Sequence, residues 1–167
     1  MKKVIKEIIP YIAIILIVVL IRSFIITPVR VDGSSMEPTL KEGEILILKK
    51  YDNSFERFDI IVFNHNNNRL IKRVIGLPGD YVEYKNDKLY INGKHVKENF
   101  VRKSTTSDFK LEDIDLKKVP KNCYFVMGDN RNNSTDSRII GAVCKKQIKG
   151  STNFSLFPLN DFGKINN

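Results

Sequence analysis

Three short stretches of the chain hold residue types that can do chemistry. The first is Gly33-Ser34-Ser35-Met36-Glu37-Pro38-Thr39, where Gly and Pro bracket two hydroxyls in a bend. Taken alone, a serine in such a bend reads as a turn residue. The second is the strand-like run Arg69–Ile75. Strand side chains alternate between faces, so Leu70, Lys72 and Val74 share one face, with Arg69, Ile71, Arg73 and Ile75 on the other. Lys72 is therefore flanked by apolar neighbours. An exposed strand lysine would snorkel to water. A buried one loses its proton more readily, because desolvation disfavours the ammonium. A neutral lysine can take the proton of a serine hydroxyl, which an exposed lysine at pH 7 rarely can. The third stretch, Gly128 to Arg138 (GDNRNNSTDSR), is dense in groups that pair or hydrogen-bond. It is either a polar loop between strands or a support that holds the lysine through Ser134 and the local fold through Asp136 and an arginine.

Other chemistries lack their residues. The two histidines, His65 and His95, sit in turn-like sequence, so neither a Ser-His-Asp triad nor a zinc site is supported. The two cysteines, Cys123 and Cys144, fit no metal or CxxC spacing. They read first as small core thiols, with a disulfide between neighbouring strands open if the domain lies outside the cell. There is no phosphate-cradling glycine loop, and the aromatic residues show no RNA-binding pattern. The net charge is +9. It suits anionic lipid or simply a solvated lysine-rich surface, and no nucleic-acid partner is expected.

The elements that must position these stretches follow from apolar patterning. Residues 8–21 (IIPYIAIILIVVLI) carry no charge. With Arg22 to Thr27 they make an expected transmembrane anchor over residues 8–27, ~30 Å long as a helix. No small-residue cleavage pattern follows it, so it reads as uncleaved. Lys2, Lys3 and Lys6 place residues 1–7 as a cytoplasmic tail, which puts the rest outside the cell membrane as a single-pass protein. Beyond Pro28 the pattern is mainly β: short runs at 44–49, 59–63, 69–75, 81–85, 88–91, 123–127 and 139–148, with a hairpin turn at Asn92-Gly93. The expected fold is thus one curled antiparallel β-sheet domain over residues 28–160. Residues 97–120 read as a loop or small insertion, the chain after Pro158 as frayed, and 161–167 as a tail.

In this order behind one anchor, the stretches Ser35–Thr39, Arg57–Phe63, Lys72–Asp80 and Gly128–Arg138 resemble the type I bacterial signal peptidases, proteases of the Ser-Lys dyad family. The resemblance runs from about residue 10 to 150. It implies that Ser35 is the nucleophile, Lys72 the general base and Ser134 a hydrogen-bond partner of the lysine. It implies further that Asp129, Arg73, Asp136 and Arg138 shape the site through ion pairs. The oxyanion would be held by the Ser35 N–H and a donor near Gly33 or Ser34, since Gly33 stands where some members have a serine. Met36, Leu70 and Val74 would line small apolar pockets for Ala-x-Ala before the cut. The implied partners are secretory preproteins with their signal peptides, together with membrane lipid. No metal and no cofactor is implied. The self-cleaving repressors of the DNA-damage response share the dyad but carry a DNA-binding region in place of an anchor. A non-catalytic tethered binding module would not need the serine, the lysine and the polar cluster together.

Overall fold

The computed structural model describes residues 2–24, 26–50, 54–100 and 102–165; side chains are described for residues 7–18 and, within those ranges, from 27 onward. The apolar N-terminal run forms helix α1 (Lys2–Phe24). It ends before the residues expected to complete the anchor, because Ile26 opens strand β1 (Ile26–Arg30). Among the described residues no helix is long and apolar enough to cross a membrane. The side chains of residues 19–24, within the expected span, lie outside the described ones.

The remaining elements follow as β2 (Ile45–Lys49), β3 (Ile60–His65), β4 (Asn68–Gly76), β5 (Val82–Lys85), β6 (Lys88–Ile91), β7 (Lys94–Val96), β8 (Phe109–Lys110), β9 (Cys123–Met127), the one-turn α2 (Ser137–Ile140), β10 (Val143–Cys144), β11 (Ile148–Phe157) and β12 (Gly163–Lys164). Every strand pairing described is antiparallel. A large sheet runs in the order β1-β2-β11-β3-β4-β9-β10, with β12 beside β11, and a small sheet in the order β7-β6-β5-β8. The mainly β expectation holds, but as two sheets. The hairpin turns are made where Asn, Asp and Gly tolerate positive φ: Asn92 at 52° and Gly93 at 78° join β6 to β7.

Alternation along β4 sorts the core. Leu70 and Val74 pack with Phe55, Ile61, Phe63, Tyr124 and Val126. On the other side Ile71 joins a cluster with Met36, Leu40, Leu46 and Val62. Ile75 joins one with Tyr84, Leu89, Phe100, Leu111 and Phe125, which docks the small sheet on the large one.

Several expectations are corrected. Residues 97–120 are an irregular insertion, as expected, apart from β8 and one 3-10 turn at Leu111–Ile114, and they are packed: Phe100, Leu111 and Val119 are buried, and β8 completes the small sheet. The run 139–148 is not one strand: α2 takes its start, β10 spans only Val143–Cys144, and a 3-10 turn follows at Lys145–Gln147. The longest strand, β11, begins at Ile148 and fills the gap between β2 and β3. Residues after Pro158 are not frayed: β12 pairs with β11 and Ile165 is buried. Cys123 and Cys144 are not free thiols. They are register partners on β9 and β10, and direct opposition brings the sulfurs close enough to form a disulfide.

Candidate active site

Ser35 lies in the turn that follows β1, and Lys72 lies mid-way along β4. A hydrogen bond of 2.6 Å joins Lys72 Nζ to Ser35 Oγ. The amine also donates to the carbonyl of Ile71 at 3.0 Å. Lys72 is 2% exposed. Burial pulls its pKa down from the ordinary 10.5 to about 8, against the opposing pull of the Asp136 and Asp129 carboxylates. The lysine is therefore poised near neutrality and in contact with a hydroxyl. As an ammonium it donates to Ser35 Oγ, and as a free amine it has a lone pair able to accept a proton from that hydroxyl.

The polar stretch after β9 builds the wall around this pair. Asn130 N donates to the Ser35 carbonyl at 3.0 Å, and Asn130 Nδ2 donates to the Ser34 carbonyl at 3.1 Å. Asn133 Nδ2 donates to Ser34 Oγ at 2.9 Å. Gly128 is required by contact: a Cβ there would collide with Ser134 Oγ and with the Ser35 carbonyl oxygen. Gly33 has a φ of 83°, a left-handed backbone that places the Ser34–Ser35 turn. Ser134 Oγ is buried beside Gly128 and has no hydrogen-bond partner among the described residues, so it does not bond Lys72 here.

Two ion pairs frame the wall. Arg73 grips Asp129 in two parallel bonds, Nε to Oδ1 at 2.9 Å and Nη2 to Oδ2 at 2.8 Å, with both side chains fully buried. Arg73 also donates to the Phe58 carbonyl and lies 4.1 Å over the Phe100 ring. Thr39 Oγ1 donates to Asp129 Oδ2 at 2.5 Å, which ties the serine turn to the same carboxylate. Arg138 pairs with Asp136 at 2.9 Å, and the Asp136 carboxylate accepts from Gly128 N at 3.1 Å.

Of the residues expected to meet substrate, Met36 and Val74 are core side chains at 1% and 0% exposure, and Leu70 is half-buried on the Lys72 face. A cavity of about 530 Å³ lies elsewhere, under Thr39 between Glu44, Ser155 and Phe162; neither Ser35 nor Lys72 lines it. Sequence reasoning passed over Thr39, Asn130 and Arg131 as individuals, although all three fall inside stretches it singled out. It missed Glu98 and Tyr84, which no local pattern marks.

The family model for signal peptidase, peptidase S26, matches residues 1–157. A signal peptidase I of Bacillus amyloliquefaciens is 46% identical over 159 residues, covering 90% of this chain and 86% of its own. A signal peptidase I S of Bacillus subtilis (strain 168) is 46% identical over 162 residues, covering 91% and 88%. Among solved structures, a signal peptidase I from Enterococcus faecalis V583 superposes with a TM-score of 0.54 at 42% identity, covering 59% of this chain and 97% of its own. The fold and the contact between Ser35 and the buried Lys72 suit a serine peptidase. The chain belongs to the signal peptidase family of serine peptidases, S26, and is an enzyme of that type.

Proposed function

We propose that the chain removes signal peptides from exported preproteins after Ala-x-Ala-like sites, with Ser35 as nucleophile and Lys72 as general base. The observation that carries this reading is the 2.6 Å contact between Ser35 Oγ and an amine withdrawn from water. Family membership supports the substrate class.

In this mechanism the neutral Lys72 amine takes the hydroxyl proton as Ser35 Oγ bonds to the scissile carbonyl carbon. The carbonyl electrons move to oxygen. That oxyanion is met by the Ser35 N–H and a second donor from the Gly33–Ser34 turn. Collapse breaks the C–N bond, and the Lys72 ammonium gives its proton to the departing amine. Water, deprotonated by the same lysine, then frees the acyl group and restores the serine. Asp129, Arg73, Asp136 and Arg138 hold the wall in shape. The substrate adds as an extended strand. The outer edge of β1, at the border of the large sheet, runs directly into the Ser35 turn. Met36, Leu70 and Val74 shape the small pockets from beneath, as packing behind the surface.

The α1 helix serves as the anchor, with residues 1–7 cytoplasmic and the β domain from residue 28 extracytoplasmic. From Ile8 to Val18 it is apolar and exposed on every side, Tyr11, Ile12 and Ile15 among them, which an aqueous setting would penalise. A disulfide in the β domain suits an oxidising compartment.

The test is cleavage of a secretory precursor by the purified protein, followed on a gel. Ser35→Ala and Lys72→Ala are each expected to abolish processing while circular dichroism stays that of the parent. Parental activity in either variant would reject the pair.

A further inference from the structure

The small sheet carries a buried charge that the mechanism above does not use. Glu98 follows β7, and its side chain is 5% exposed. Its Oε1 accepts from Arg131 Nη2 at 2.5 Å and from Tyr84 Oη at 2.7 Å. The other two nitrogens of the same guanidinium are engaged as well: Nη1 reaches Tyr84 Oη at 2.9 Å and Thr106 Oγ1 at 2.6 Å, and Nε reaches the Gly128 carbonyl at 3.0 Å. Arg131 is 2% exposed, and the Tyr84 and Phe100 rings lie 5.2 and 5.8 Å from it. Arg102 Nε adds a second cation 3.5 Å from Glu98 Oε2.

This network ends on the backbone that holds the serine. Gly128 is fixed on both sides, its carbonyl by Arg131 and its N–H by Asp136. Two residues on, Asn130 N grips the Ser35 carbonyl. The Arg131 carbonyl accepts from Arg138 at 2.7 Å, so the second ion pair of the wall hangs on the same residue. Buried ion pairs add little net stability over apolar packing, and what they supply is geometry. A reacting group displaced by ~1 Å costs on the order of 100-fold in rate.

We propose that Glu98 is a positioning residue for the Ser35–Lys72 pair, acting through Arg131 on the Gly128–Asn130 backbone. The small sheet is then a brace for the active site as well as a packing partner. The proposal rests on the serine–lysine reading above.

The full-length protein is assayed on a secretory precursor, with functional sites counted by covalent labelling with a serine-directed inhibitor. Glu98→Ala is expected to lower kcat per labelled site about ten-fold and leave KM within about two-fold, since the brace touches the nucleophile and not the substrate. Glu98→Gln keeps an acceptor oxygen for Arg131 and is expected to regain most of kcat. A role in folding alone would reduce the number of labelled sites and leave kcat per site at the parental value; that result overturns the proposal. If Glu98→Ala does not fold, Tyr84→Phe, which removes one hydroxyl, decides. It is expected to lower kcat per site about three-fold, and an unchanged kcat overturns the proposal. Ser35→Ala is run in parallel: cleavage by that variant would defeat the nucleophile assignment, an outcome distinct from any result at Glu98.

Discussion

A lysine with a pKa of about 8 is about one-tenth neutral at pH 7, and in the proposed mechanism that fraction sets how many molecules hold a competent base at any moment. On the proposed mechanism, kcat/KM therefore rises about ten-fold per pH unit below 8 and levels off above it, which an initial-rate series from pH 6 to 10 reads directly. The same burial acts on stability in the opposite sense. The folded pKa lies below the unfolded value, so between about 8 and 10.4 the unfolded chain binds more protons, and stability rises with pH across that window. Below it the buried amine costs on the order of 3 kcal/mol. Lys72→Met is thus expected to be inactive yet more stable than the parent at pH 7, with the gain shrinking by pH 10, as urea unfolding at the two pH values would show. The two residues of the pair are legible in sequence for different reasons. Lys72 stands out because alternation sets it between Leu70 and Val74, a local signal. Ser35 stands out only through company with the other stretches, because nothing in a Gly-Ser-Ser bend says what will fold against it.

The turn after β9 is where element geometry meets the site. Gly128→Ala would drive a methyl group into Ser134 and the Ser35 carbonyl, two groups that cannot both give way. The variant is expected to lose on the order of 100-fold in kcat/KM, measured on the precursor with fold checked by circular dichroism. Strands bounded by Asn-rich or Asn-Gly turns, such as β3, β4 and the β5–β6 hairpin, are legible from apolar pattern and turn chemistry alone, whereas β7 is signalled only by the Asn92-Gly93 turn before it. The β11 strand is not, because Gly150, Ser151, Thr152, Asn153 and Ser155 give it little apolar signal, and its pairing with β2 shifts register twice. It forms because β2 and β3 each leave an edge to be satisfied, a demand visible only in three dimensions. The polar 128–138 stretch could be recognised as a unit, but its partners Glu98 and Tyr84 could not, since they arrive from a separate sheet.

On the scale of the whole molecule, the enzyme is a two-sheet β domain that follows an apolar helix. On the proposed reading, anchoring concentrates the site where precursors emerge and adds nothing to the chemistry itself. A variant lacking residues 1–25 is expected to cleave a soluble peptide at the parental rate and to lose about 100-fold on precursors embedded in vesicles, by comparison of the two assays. The bridge between Cys123 and Cys144 carries a topological consequence. It closes a covalent ring through β9, α2 and β10, and Asp129, Ser134, Asp136 and Arg138 all lie on its circumference. A single nick by an intruding protease anywhere in that circle would open the chain without releasing either fragment. The clipped molecule would run as one band until a thiol reductant parted it in two.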